Sequence, residues 1–155
     1  EPKVFAVDVS SNGRIRQFPS ETGFAFHPGT GPGGSFLLEP ASCLIKSGLV
    51  SKYAEYLKIS PPYKNSILLF SEHTPGDFMG RVFTIRSEME FSKSALKKYL
   101  AANAITKANI TCRNFPVKPE ELKKTLGLSD GGDDYFFFTV LGGKKKFFHC
   151  AKAAE

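Results

Sequence analysis

Residues 108–128, ANITCRNFPVKPEELKKTLGL, leave few choices of local structure. Ile110 and Cys112 alternate with polar Asn109 and Thr111, the period of a half-buried strand. Arg113-Asn114-Phe115-Pro116 ends it, because Pro116 lacks an amide donor and biases Phe115 away from helical geometry. Pro119 then suits the first helical position. Glu120 and Glu121 suit the positive helix start, Lys123 and Lys124 its negative end, and Gly127 the residue just past it. The stretch reads as a strand, a tight basic corner and a capped helix. Arg113 and Asn114 share the corner, with Lys107 and Lys118 at either end. Guanidinium and carboxamide groups grip phosphates and base edges. The plainer alternative is that Arg113 pairs with a carboxylate and Asn114 caps the turn through its own backbone.

The flanking pattern extends this unit. Val82, Phe83 and Ile85 open a strand reaching about Phe91, and Ser92 can cap a helix in which Ala95, Leu96, Tyr99 and Leu100 face inward. Tyr135 to Leu141 is a continuous, aromatic-rich apolar run, expected as a central strand. Gly142-Gly143 turns it into Lys146 to Cys150 as a hairpin. The order β-α-β-α-β-β makes an α+β fold, a mixed sheet with two or more helices packed on one face. Ahead of it, Val4 to Val9, Asn12-Gly13 and Arg14 to Phe18 predict an N-terminal hairpin. A Gly/Pro-rich loop follows at 27–34. Pro40 to Lys46 and Leu49 to Leu57 predict a short helical pair, and Ile67 to Phe70 a short strand. The division expected is 1–35, the hairpin and loop, and 36–155, the α+β domain.

Arg113-Asn114-Phe115-Pro116 and the run PEELKKTLGLSDGGDDYFFFT resemble the THUMP-like domain at the C-terminus of certain bacterial class I S-adenosylmethionine-dependent methyltransferases. Glu39-Pro40 through Lys46-Ser47-Gly48, and Phe78-Met79-Gly80-Arg81-Val82-Phe83, resemble the same family. The likeness spans roughly 36–150, and the residues before it resemble the segment that follows the methyltransferase domain. The resemblance implies a fused methyltransferase domain outside this chain, with S-adenosylmethionine as that domain's cofactor and RNA as partner. None of these motifs is catalytic.

The rest of the chain is consistent with a binding role. An apolar fraction of 41% with 15 Phe indicates a globular protein. No apolar run approaches the roughly 20 residues that cross a bilayer, so no membrane partner is expected. The opening Glu-Pro-Lys-Val reads as the interior of a longer protein. Cys43, Cys112 and Cys150 are odd in number and far apart, against disulfide scaffolding or tetrahedral zinc, and point to the cytoplasm. The net charge is +6. Up to Ser60 six basic side chains face five acidic ones, which leaves fifteen of the 21 and ten of the 15 for the remainder. That balance suits a polyanion, and equally a solvated surface.

The glycines at 27–34 lack the Lys-Ser/Thr of a P-loop, and Pro28 and Pro32 interrupt them. His27, His73 and His149 are scattered, and Asp133-Asp134 and Glu120-Glu121 are adjacent pairs that cannot oppose each other across a substrate. No catalytic residue, metal ligand or cofactor site is expected on this chain. Further binding candidates are Arg81 beside Gly80, which permits close approach of a backbone, Lys144, Lys145 and Lys146 on the last hairpin, and Lys46. Lys46 can contact RNA, contact the methyltransferase domain, or pair with Glu39. Phe136-Phe137-Phe138 reads as core rather than as stacking platforms. Two functions follow: a non-catalytic accessory domain that helps a methyltransferase hold structured RNA through a basic face, or a structural module that packs on that enzyme without touching RNA.

Overall fold

Asn12-Gly13 places the tip of the first hairpin. β1 (Phe5–Val9) pairs antiparallel with β2 (Ile15–Pro19). The Ser10 amide bonds to the Arg14 carbonyl across the turn at 2.9 Å, with Gly13 at φ +79°. The computed structural model describes residues 4–19, 35–59, 61–63 and 66–154. The loop expected at 27–34 lies outside these residues. The chain divides into two units, Glu1–Val82 and Phe83–Glu155.

In the first unit, β3 (Phe36–Pro40) pairs antiparallel with β4 (Leu69–Ser71), and α1 (Ser42–Lys46) and α2 (Val50–Tyr56) lie between them in sequence. Leu38, Leu44, Leu49, Tyr53, Ala54, Leu69, Phe78 and Met79 form its core with Ala6 and Phe18 of the hairpin. The buried Tyr53 hydroxyl accepts the Met79 amide at 2.7 Å, and burial raises that hydroxyl's pKa above its ordinary value. β3 was not expected from sequence. Its Leu37, Leu38, Glu39 and Pro40 are all buried, so no period of two marks it.

β5 (Gly80–Glu90) continues into the second unit, where α3 (Lys93–Ala102), β6 (Asn109–Arg113), α4 (Pro119–Leu126), β7 (Tyr135–Leu141) and β8 (Lys144–Lys152) follow in the predicted β-α-β-α-β-β order. The hydrogen-bonded strand order is β4-β3-β5-β8-β7-β6, with β6 parallel to β7 and β8 antiparallel to both β5 and β7. Leu96 and Leu100 of α3 and Leu122 and Leu126 of α4 cover one face, against Phe136, Phe138 and Phe147. These rings meet edge-on or tilted, Phe136–Phe147 at 5.0 Å and Phe138–Phe147 at 5.2 Å. Burying each such ring contributes about 2–3 kcal/mol relative to exposure. Phe137 points to the opposite face and meets Phe83 at 4.9 Å. The three-Phe run is core on both sides, as its strand alternation requires. Ala95, expected inward, is exposed.

Candidate nucleic-acid interface

The basic corner forms because β6 runs out at Arg113 and the chain must turn before α4. Asn114 makes that turn in the left-handed region at φ +51°. Asparagine tolerates this conformation better than most side chains, so backbone geometry by itself accounts for its identity. Lys118 precedes α4 in extended geometry, and Pro119 occupies the first turn, followed by Glu120 and Glu121. Lys123, in the same helix, is ion-paired with Asp130.

Register brings the second basic group to the same place. Arg113 lies beside Thr139, Thr139 opposite Lys146, and Lys146 opposite Glu90, a single row across β6, β7, β8 and β5. Its alternation puts it on the face opposite the helices. Leu141 pairs with Lys144 at the hairpin end. Arg113, Asn114, Lys118, Lys144 and Lys145 therefore gather at one end of the sheet, and Asn114, Lys118, Lys144 and Lys145 are exposed. Carboxylates temper the group. Lys146 pairs with Glu88 at 2.9 Å, and Lys144 lies 4.0 Å from Glu90 with both side chains about two-thirds exposed. A pair that open to water contributes little and exchanges readily for a phosphate. β8, which carries Lys144 to Lys146, is interior in the strand order, and the sheet edges are β4 and β6.

The remaining candidates sit elsewhere. Lys107 precedes β6, roughly 20 Å from Arg113 along an extended strand, and its aliphatic stem lies against Gly132. Arg81 and Lys46 belong to the first unit. Arg81 donates to the buried Glu39 carboxylate at 2.7 Å, a packing ion pair rather than a free cation at the surface of β5. Gly80 permits the close backbone approach expected of it. At φ +149°, a Cβ there would run into the Glu39 carbonyl and come within 2.9 Å of Pro40 Cα and 2.8 Å of the Phe78 ring. Lys46 is exposed in the last turn of α1.

One polar cluster escaped the sequence reading. Buried His149 on β8 lies 2.6 Å through Nε2 from Asp134 Oδ1 and 2.7 Å through Nδ1 from the Tyr99 hydroxyl on α3. Arg86 approaches the same Asp134 oxygen at 3.4 Å. A carboxylate only accepts, so Nε2 carries a proton, and in the neutral ring Nδ1 accepts from Tyr99. Each member satisfies the next, which makes the set a brace between α3 and the sheet. Tyr99 at an inward helical position was its sole sequence signal. The cysteines are all free. Burial pushes the Cys112 thiol up to about 11, with Glu120 adding to it, and the Cys150 thiol up to about 12, so both stay protonated and inert at neutral pH. Among the described residues no group of three or more His, Cys, Asp or Glu is placed to hold a metal, and no helix is long and apolar enough to cross a membrane.

Residues 80–152, which span the basic corner, both covering helices and the last hairpin, match the family described as THUMP domain-like. This segment is a THUMP-like domain. The whole chain is similar to the crystal structure of a candidate methyltransferase from Porphyromonas gingivalis W83, at 27% identity and a TM-score of 0.83 over 98% of this chain. The chain spans 38% of that protein's length. TrmN from Thermus thermophilus aligns over 77% of this chain and 46% of its own at 12% identity and a TM-score of 0.29, which carries no structural argument. No curated protein sequence matches significantly.

Proposed function

We propose that the THUMP-like domain is a non-catalytic accessory domain that holds structured RNA for a fused class I methyltransferase domain, whose cofactor is S-adenosylmethionine. The observation that carries this reading is the gathering of Arg113, Asn114, Lys118, Lys144 and Lys145 at one sheet end within the THUMP-like segment. THUMP domains accompany RNA-modifying enzymes, and the likeness to a methyltransferase-named protein with much further chain supports the fusion. Contacts of this kind fall on phosphates, which position an RNA without reading its sequence. Replacing Arg113, Lys118 and Lys144 together with Ala is expected to weaken binding of a fluorescent RNA hairpin tenfold or more. Lys107→Ala, at the other end of β6, should leave it unchanged. Equal losses from both variants, or none from the triple one, contradict the assignment.

A second reading is favoured by the hairpin. Phe5, Val7, Val9 and Ile15 present one outward face of β1 and β2 and are 45–68% exposed. An apolar face of this sort suits packing on the methyltransferase domain. Affinity for that domain without affinity for RNA would make the chain a structural module.

A further inference from the structure

Within the first unit, the side of α2 turned toward β2 borders an open cavity of about 700 Å³, in the range that holds a small ligand. Its wall contains Phe18, Tyr53 and Tyr56, and its rim Arg14, Arg16 and Lys52. Tyr56 is 71% exposed, the most open large hydrophobic side chain among the described residues. It is nevertheless held. One side of its ring is backed by Tyr53, 6.3 Å away and 17° from parallel, and Phe18 meets it edge-on at 5.6 Å. Tyr53 is itself fixed by its hydroxyl bond to the Met79 amide. A flat ring pinned on one side and open on the other loses little conformational freedom when a second flat group stacks on it.

Three cations, Arg14, Arg16 and Lys52, and two carboxylates, Glu55 and Asp77, line the cavity. Lys52 is one helical turn before Tyr56, on the same side of α2. Arg14 pairs with Asp77 at 2.9 Å, but both side chains are more than half exposed, so water already screens the pair. Arg16 neutralises Asp77 and Asp8 from beneath, and its Nε is buried in the wall with no hydrogen-bond partner. Among the described residues β2 pairs with β1 alone. A base face has a counterpart in the Tyr56 ring and a phosphate in Lys52 and Arg14.

We infer that this cavity binds one unpaired nucleotide of an RNA strand. Its base stacks on Tyr56 and its phosphate lies against Lys52 and Arg14. The inference rests on the RNA reading above but concerns a different surface, and it assigns unpaired RNA to the first unit and structured RNA to the second.

The test uses the whole chain with two labelled probes, decaadenylate and a fully paired RNA hairpin. Stacking of one base on an aromatic ring is a large share of such binding. Tyr56→Ala is therefore expected to weaken decaadenylate binding about tenfold, Tyr56→Phe to retain it, and Lys52→Ala to weaken it several-fold. Hairpin binding should not change in any of the three. Unchanged thermal unfolding of Tyr56→Ala would establish that the variant is folded. Decaadenylate binding that ignores Tyr56, or a parent that binds the hairpin but not decaadenylate, overturns the pocket alone. A parent that binds neither probe overturns the RNA reading with it.

Discussion

Gly80 is the residue whose identity the structure constrains most tightly. Its φ of +149° excludes ordinary side chains, and the space where a Cβ would sit is filled by the Glu39 carbonyl, Pro40 and the Phe78 ring. Two of these obstacles are backbone, so the neighbours cannot swing aside. Gly80→Ala is expected to cost about 3 kcal/mol of stability, at the upper end for overpacking, read as a lowered urea midpoint at unchanged slope. An unchanged midpoint would mean that β3 and β5 do not approach closely. Arg81, next along, illustrates a limit of residue-level reading. A glycine-arginine pair before a strand suits a phosphate site and a packing ion pair equally, and only the position of Glu39 distinguishes them. Asn114 is similar, since a binding carboxamide and a residue chosen for the left-handed region look alike in sequence.

All four described helices close the same way. A left-handed residue stands one or two positions past each end, at Gly48, Lys58, Ala104 and Gly127, and the next amide reaches back to the last turn. Those bonds run from Leu49 to Leu44, Ile59 to Ala54, Ile105 to Leu100 and Leu128 to Lys123, at 2.8–3.0 Å. Glycine adopts this conformation without steric penalty, whereas alanine does not. Ala104→Gly is therefore expected to stabilise the protein by about 1 kcal/mol and Gly127→Ala to destabilise it by a similar amount. Opposite shifts in thermal midpoint would show this, and shifts of the same sign would contradict it. Gly127 and Gly48 made two of these ends legible in the sequence. The ends at Lys58 and Ala104 carry no such mark. The α+β order from β5 onward was legible because strand and helix periods alternate cleanly there. β3 was not, because burial on both faces erases alternation.

At the scale of the molecule, the sheet assembles what the chain keeps apart. Arg113 and Lys144 are distant in sequence, and the parallel β6–β7 register followed by the β7–β8 hairpin brings them to one sheet end. The individual basic residues were legible from the sequence. Their grouping was not, and neither was the separation of Lys107 at the far end of β6, because strand order is a long-range property. The brace of Tyr99, His149 and Asp134 was hidden for the same reason. The family likeness was legible in the corner and helix, and the match over 80–152 falls on that part of the chain.

The central claim is that this basic end holds RNA by its phosphates. Its most direct test is the association constant of the chain for a structured RNA across a salt series. With four cations engaged, the log–log slope is expected to be about −3, and Arg113→Ala with Lys118→Ala should flatten it by about 2. A slope near zero, or one that the double substitution leaves unchanged, would contradict the claim.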